Sequence, residues 1–238
     1  MHFEFYIKQQ VISPYAILLI ASLMISFGIA VLLMIRKKFP QTLAVLSAML
    51  NMTTALYFGY LYTALATGEF TRVRFSSMGG VAGVLLGVFI LGKVFPEYRA
   101  ELRKGYIVVL PLTYGISKIG CFLAGCCYGL PYNGPFYVKY HGDMVYVSEM
   151  ALFPVQLAET VVFILIFLVG YYWAYVKDLE NATILILCVC ALAKFLLDYL
   201  RASHTNQILS MNQIACIIVA ALTIVYFFYH RVHRGVNR

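Results

Sequence analysis

Long apolar runs alternate with short polar connections along the whole of this 238-residue chain. A run of about 20 apolar residues crosses the hydrocarbon core of a bilayer, and a helix satisfies its own backbone hydrogen bonds there. The pattern predicts an all-α integral membrane protein, a bundle of about seven transmembrane helices forming a single polytopic membrane domain over residues 1–238. The runs lie at about residues 11–35, 42–66, 77–95, 106–129, 151–176, 182–200 and 207–229.

Composition agrees with a membrane protein and excludes an ordinary soluble domain. Hydrophobic residues make up 62% of the chain and charged residues 12%, whereas soluble domains are about half apolar. The formal net charge of +8 indicates topology, because basic residues concentrate in cytoplasmic connections. Eleven basic residues lie in the odd-numbered connections and the C-terminal tail, against five on the opposite side. The N-terminus is therefore predicted outside and the C-terminus in the cytoplasm.

A lysine in the fourth apolar run, Lys118, begins a segment rich in glycine and cysteine that ends at Gly129. A charge at this depth costs about 2.5–3.5 kcal/mol on insertion scales, so a buried lysine usually has a partner or a function. We expect Lys118 to pair with Glu159, with Asp198 or with a lipid phosphate.

The sixth run carries three charged residues, Lys194, Asp198 and Arg201, at positions i, i+4 and i+7. This spacing places them on one face of a helix. One interpretation is a ladder that neutralises itself while Arg201 extends to the outer interface. The functional alternative is an anion site in which Asp198 orients a cation towards a phosphate.

The fifth run contains two polar residues, Gln156 and Glu159, at positions i and i+3. We expect both to line the same cavity as the charges of the fourth and sixth runs. The alternative for Glu159 is a structural one, in which it only neutralises Lys118. In the third run, close helix packing explains the small-residue pair Gly83 and Gly87.

Three cysteines, Cys121, Cys126 and Cys127, form a C-x4-C-C pattern at the end of the fourth run. Zinc sites are typically built from two separated pairs of cysteine or histidine. We therefore expect these thiols to pack as small apolar side chains, with no metal and no catalytic thiol. The outer connection that follows, about residues 130–150, is rich in tyrosine and is suited to the headgroup layer.

Six segments resemble motifs of the prolipoprotein diacylglyceryl transferase family and follow one another in the same order as in that family. The segment from Lys118 to Gly129 is similar to the family signature G-R-[IL]-G-N-F-x-N-G-E-x-x-G. The others resemble Tyr-Gly, His-Gly-Gly-x-x-Gly, His-Pro-x-Gln-Leu-Tyr-Glu, Arg-Phe-x-x-Glu-x-x-Arg and Leu-Ser-x-x-Gln, at residues 14–16, 77–83, 153–159, 194–201 and 209–213. The resemblance covers nearly the whole chain and implies seven spans with the N-terminus outside.

The chain departs from the family pattern at several functional positions. Met78 stands where the family has a histidine, and Lys118 and Lys194 stand where it has two arginines. Lysine keeps the charge but cannot make the bidentate contact that arginine makes with phosphate. Cys121 replaces an asparagine and Cys126 a glutamate of the signature. The sequence is thus identified as a divergent member that lacks the usual base.

The resemblance implies transfer of a diacylglyceryl group from phosphatidylglycerol to the lipobox cysteine of a prolipoprotein, in a bacterial plasma (inner) membrane. The implied partners are a phospholipid, a prolipoprotein signal peptide and the membrane itself, with no cofactor and no nucleic acid. Two alternatives remain. One is a non-catalytic paralogue that binds lipid or lipoprotein, and the other is a related transferase with a different acceptor.

By the same resemblance, the residues expected to carry the reaction are Lys118, Lys194, Glu159 and Tyr15. The residues expected to bind substrate are Gly79, Gly80, Gly120, Cys121, Gly129, Gln156, Asp198 and Arg201. Lys118, Lys194 and Arg201 would hold the phosphate. The acceptor of the thiol proton stays open among Glu159, His141 and the leaving phosphate itself.

Overall fold

The described part of the chain folds into seven α-helices and two short strands. A computed structural model describes residues 3–6, 13–70, 75–141, 150–204 and 208–236. The strands β1 (Phe3–Tyr6) and β2 (Val138–His141) pair in parallel. The helices are α1 (Pro14–Arg36), α2 (Gln41–Thr67), α3 (Ser77–Val94), α4 (Arg99–Leu123), α5 (Val155–Tyr171), α6 (Ala182–Asp198) and α7 (Met211–Val236).

Within the described ranges, six helical segments are long and apolar enough to cross a membrane. They are α1, α2, α3, α4 with the short turn before it, α5 with the π-helical turn Tyr172–Val176, and α7 as far as Tyr229. The remaining helix, α6, has 17 residues and carries Lys194 and Asp198. The predicted fold class, an all-α membrane protein, is confirmed. The orientation of the termini and the single domain stay predictions.

The helix that differs most from its apolar run is α4. It covers Arg99–Leu123, whereas the run covers about residues 106–129. Charged residues continue the helix beyond the apolar region at its N-terminal end. At the other end, Gly125 adopts the left-handed conformation (φ 64°). The N–H of Cys126 then bonds to the carbonyl of Cys121 (3.0 Å), which is the pattern of a Schellman C-cap.

The contacts within the chain divide it into two compact units. The first unit comprises residues 1–22, 114–166 and 184–238, and the second comprises residues 23–113 and 167–183. The helices α1, α4, α5 and α6 therefore each contribute residues to both units.

In the second unit, α3 packs against α2 through glycine. A Cβ atom at Gly79 would overlap the carbonyl oxygen of Phe58, and one at Gly83 would overlap that of Thr54. A Cβ atom at Gly87 would overlap the side-chain oxygen of Asn51, which also lies on α2. This is the close helix contact expected for Gly83 and Gly87.

In the first unit, β2 and the loop before α5 form a small apolar cluster. Val138 and Leu152 exchange two backbone hydrogen bonds of 3.0 Å, and both are buried with Phe122 and Tyr140. Tyr140 is thus buried within the protein, and the prediction that this connection lies in the headgroup layer stays a prediction. Residues 142–149 of the same connection lie outside the described residues.

Candidate functional site

Glu159 of α5 is the centre of a buried ionic network in the first unit. Its Oε1 accepts hydrogen bonds from Lys194 Nζ (2.8 Å), Arg201 Nη2 (3.1 Å) and the Tyr114 hydroxyl (3.0 Å). Its Oε2 accepts a bond from Arg201 Nη2 (3.0 Å) and lies 3.4 Å from Lys118 Nζ. One fully buried carboxylate thus faces three cations, which come from α4, from α6 and from the turn after α6.

Asp198, the last residue of α6, connects this network to the start of α7. Its Oδ1 accepts a hydrogen bond from Lys194 Nζ (2.8 Å), and the Ser210 hydroxyl donates to its Oδ2. Ser210 Oγ also accepts the N–H of Gln213 (3.1 Å), while Gln213 Oε1 accepts the N–H of Ser210 (3.0 Å). This reciprocal pair is a capping box. It holds the N-terminus of α7 against the Asp198 carboxylate.

Lys118 makes the fewest polar contacts of the three cations. Its Nζ lies 4.7 Å from the centre of the Tyr114 ring, and its one ion pair within the described residues is with Glu159. Lys194, by contrast, bridges Glu159 and Asp198. Three buried cations face two buried carboxylates, so the network carries a formal net charge of +1. An uncompensated buried charge is costly, and the network therefore favours binding of an anion.

Arg201 lies beyond the helix that was expected to carry it, because α6 ends at Asp198. Its backbone instead forms an isolated antiparallel bridge with Gly129, flanked by two backbone hydrogen bonds of 3.0 and 3.2 Å. A Cβ atom at Gly129 would overlap the carbonyl oxygen of Phe153, so glycine allows this approach. The Arg201 side chain is only 8% exposed. It points into the network and does not extend to an interface.

Gln156 lies one turn before Glu159 on α5 and is fully buried. Its Nε2 donates to the Cys126 carbonyl oxygen (2.8 Å) and to the Tyr140 hydroxyl (3.4 Å). Its Oε1 accepts no hydrogen bond from the residues that the structure describes. A buried acceptor left without a donor costs free energy. Gln156 therefore anchors the loop after α4, and its substrate-binding role stays a prediction.

Tyr15 and Gly120 lie where α1 meets α4 within the first unit. A Cβ atom at Gly120 would come within 3.0 Å of Leu18 Cβ and 3.2 Å of Tyr15 Cα. Glycine at this position thus allows α1 to approach α4. The binding roles of Tyr15 and Gly120 stay predictions.

Gly79 and Gly80, which were expected to bind substrate, belong to the second unit. They lie in the first turn of α3, where the Ser76 hydroxyl accepts the N–H of Gly79 (3.5 Å). A Cβ atom at Gly80 would come 2.9 Å from the Phe75 ring. Close packing therefore requires glycine at Gly79 and leaves little room for a side chain at Gly80, and the binding role of both stays a prediction.

Cys121, Cys126 and Cys127 come together at the end of α4. Their Sγ atoms all lie within 4.8 Å of one another. Cys121 is buried, Cys126 is half-buried and Cys127 is exposed. The left-handed backbone of Gly125 (φ 64°) and of Cys127 (φ 57°) turns the loop back towards the helix. The substrate-binding role of Cys121 stays a prediction.

Tyr114 is a member of the network that sequence analysis does not identify. Its hydroxyl bonds to Glu159, and its ring centre lies 4.7 Å from Lys118 Nζ and 5.9 Å from Lys194 Nζ. Its position four residues before Lys118 is a usable signal, because residues i and i+4 share a helix face. Cation–π contacts of this kind stabilise a desolvated lysine.

Ser210 is the second member that sequence analysis misses. A serine followed three residues later by glutamine, directly before an apolar run, is a sequence signal for a helix start. That signal locates the cap of α7, but nothing in the local sequence predicts the bond from Ser210 to Asp198.

Comparison with known proteins gives a consistent result over most of the chain. A family model described as prolipoprotein diacylglyceryl transferase matches residues 3–229. The chain is 25% identical over 155 residues to a phosphatidylglycerol–prolipoprotein diacylglyceryl transferase of Clostridium tetani, covering 63% of this chain and 61% of that protein. It is 24% identical over 144 residues to a phosphatidylglycerol–prolipoprotein diacylglyceryl transferase 2 of Clostridium perfringens, covering 59% and 56%. The chain thus spans less than two thirds of the length of these two relatives.

Proposed function

This chain belongs to the prolipoprotein diacylglyceryl transferase family, and on that basis we propose that it transfers a diacylglyceryl group from phosphatidylglycerol to the lipobox cysteine of a prolipoprotein at a bacterial inner membrane. The acceptor sulfur attacks the glyceryl carbon, and the bond from that carbon to the phosphate oxygen breaks. Glycerol phosphate leaves with the electron pair of the broken bond, and the thiol proton passes to an acceptor.

The observation that carries this proposal is the net positive charge of the buried network around Glu159. Negative charge develops on the phosphate oxygen as the glyceryl group departs, and preorganised cations stabilise such charge most strongly where water is excluded. Lys118 is the cation with donor capacity to spare. Arg201 Nε is a second donor, because it lies 3.6 Å from Asp198 Oδ1 and hydrogen-bonds to none of the described residues.

We assign Glu159 to positioning the cations and not to accepting the thiol proton. Its oxygens already accept hydrogen bonds from Tyr114, Lys194 and Arg201. A carboxylate surrounded by cations is a weak base. The leaving phosphate and His141 remain the candidates for proton acceptor. In the same proposal, Asp198 orients the cations, while Tyr15 and Gln156 contact the lipid headgroup.

The test is a transfer assay with the purified chain in vesicles of phosphatidylglycerol and a peptide containing a lipobox cysteine. The expected product is the S-diacylglyceryl peptide, identified by mass spectrometry. Lys118→Met should reduce product formation about 10- to 100-fold, because it removes one charge-assisted hydrogen bond to the phosphate. Such a bond contributes about 1.5–3 kcal/mol. Lys104→Met is the matched control, because Lys104 lies on the same helix and pairs with the exposed Asp178. Equal turnover in both variants would remove Lys118 from the proposal.

A non-catalytic lipid-binding role is the second candidate function. Met78 and Cys126 stand where the family pattern has histidine and glutamate, and the network can hold a phosphate without turnover. In that case the protein should bind phosphatidylglycerol in a manner that depends on Lys118 and should yield no modified peptide. A cell depleted of its own transferase should then not grow when it expresses this chain.

A further inference from the structure

The three cysteines at the end of α4 form a compact sulfur cluster that the proposed reaction does not use. Their Sγ atoms lie within 4.8 Å of one another. In a tetrahedral zinc site the Zn–S bond is about 2.3 Å long, so the sulfurs lie about 3.8 Å apart. The three sulfurs would therefore need to move closer to one another by about 1 Å or less to reach that geometry.

The backbone explains why the unusual spacing of these cysteines still gives a cluster. Cys121 and Cys126 occupy the two positions of the Schellman motif whose side chains commonly meet, since the Cys126 N–H bonds to the Cys121 carbonyl (3.0 Å). The left-handed conformation of Cys127 (φ 57°) directs the third sulfur to the same point. The loop is also anchored from α5 by the bond from Gln156 Nε2 to the Cys126 carbonyl oxygen (2.8 Å). Such outer contacts typically orient metal ligands.

The charge around the cluster suits three thiolates. Lys118 precedes Cys121 by three residues on α4 and therefore lies on the same helix face. It belongs to the network whose five charged side chains carry a net charge of +1. Binding of one Zn²⁺ ion lowers the formal charge of three thiolates from −3 to −1. Thiolates are soft ligands that select zinc and similar ions over magnesium or calcium.

We propose that Cys121, Cys126 and Cys127 bind one zinc ion and leave its fourth position open for the thiol of the acceptor cysteine. This arrangement of three protein ligands and one open position is typical of catalytic zinc sites. The site departs from the expectation, based on spacing alone, that these cysteines only pack. Cys127 is exposed, so the cluster lies at the surface of the described structure.

The role of the ion rests on the proposed transferase function. A thiol that coordinates zinc loses its proton, which here passes to water. The resulting sulfur then attacks the glyceryl carbon, the bond from that carbon to the phosphate oxygen breaks, and glycerol phosphate leaves on the side of Lys118. The thioether product is a weaker zinc ligand than a thiolate and dissociates. The zinc ion would thus supply the thiol activation that a chain with Met78 and Cys126 at the expected histidine and glutamate positions otherwise lacks.

The experiment measures metal binding apart from catalysis. The full-length protein, purified in detergent under reducing conditions and stripped with a chelator, is titrated with Zn²⁺ and, separately, with Co²⁺. We expect one metal ion per chain by native mass spectrometry and a thiolate-to-cobalt charge-transfer band. Cys121→Ser and Cys126→Ser should weaken Co²⁺ binding at least tenfold, whereas Cys188→Ser, a cysteine of α6 outside the cluster, should not. Circular dichroism of each variant checks that the helices are retained.

Addition of a lipobox peptide tests the open position. The cobalt band should intensify with the cysteine peptide and should not change with the same peptide carrying serine. Absence of stoichiometric metal, or a disulfide among the three cysteines in the purified reduced protein, would overturn the metal site. Metal binding without any S-diacylglyceryl product would leave the site standing and refute the transferase. Equal turnover by stripped and zinc-loaded protein would refute the role of zinc and leave the transferase standing.

Discussion

Replacement of Glu159 by glutamine tests whether this carboxylate holds the site together. Glu159→Gln keeps the shape of the side chain and one carbonyl oxygen but removes the negative charge. That charge faces Lys194 Nζ at 2.8 Å, Arg201 Nη2 at 3.0 Å and Lys118 Nζ at 3.4 Å. The formal charge of the five-residue network rises from +1 to +2. The new amide nitrogen is also a hydrogen-bond donor, and the groups around it are themselves donors.

The magnitude follows from the burial of the network. Removing one partner of a buried ion pair typically lowers the free energy of unfolding by about 3–5 kcal/mol, because the remaining charge stays buried without compensation. Glu159 is fully buried and faces three cations, so we expect a loss at the upper end of that range. Combining Glu159→Gln with Lys118→Met returns the net charge to +1. The double variant should therefore recover about 1–3 kcal/mol of coupling energy between the two positions.

The measurement is equilibrium unfolding in detergent micelles, with a denaturing detergent as titrant and helical circular dichroism as signal. Asp178→Asn is the matched control, because it removes a carboxylate from the exposed ion pair with Lys104 and should change stability little. If Glu159→Gln cost no more than Asp178→Asn, or if the double variant were simply the sum of the two single ones, Glu159 would not be the centre of the network.

Three further outcomes are expected. Lys194→Met should lower the free energy of unfolding by about 3–5 kcal/mol and Lys118→Met by much less, because Lys194 bridges Glu159 and Asp198 whereas Lys118 pairs with Glu159 only, within the described residues; equal losses by the same unfolding titration would contradict this. Ser210→Ala should cost about 1–2 kcal/mol, since it removes the cap of α7 and a bond to the network; an unchanged unfolding midpoint would argue against the capping box. Gly129→Ala should lower the free energy of unfolding by about 1–3 kcal/mol. Gly28→Ala should raise it by about 0.5–1 kcal/mol, because a Cβ atom there meets nothing within 4 Å and alanine favours the helix. Thermal melting measures both, and a lower melting temperature for Gly28→Ala than for Gly129→Ala would contradict this.

The helices and their approximate positions could be predicted from the sequence because the bilayer imposes a simple rule. A spanning segment must be apolar over about 20 residues, and six helical segments of the described residues meet that requirement. The errors lie at helix ends, where hydropathy is a poor guide. The start of α4 at Arg99 follows charged residues that a hydropathy run excludes, and its end at Leu123 is decided by the left-handed Gly125.

The members of the candidate site could be predicted in part for the same reason. Lys118, Glu159 and Lys194 are charges inside apolar runs, and burial obliges such charges to find partners. The sequence alone therefore determined that these residues would need partners. It did not determine which partners those would be. The resemblance to a family supplied the expected roles of these residues, which no local pattern contains.

Only the tertiary structure decided how these residues meet. Glu159 is the shared partner of cations on α4 and α6, Arg201 joins them through a backbone bridge with Gly129 and not through the helical repeat of α6, and a C-cap gathers three cysteine sulfurs. The physical reason is that hydropathy records how each segment partitions between water and lipid. It carries no information on which helices lie side by side, and contacts between side chains distant in sequence depend on that packing.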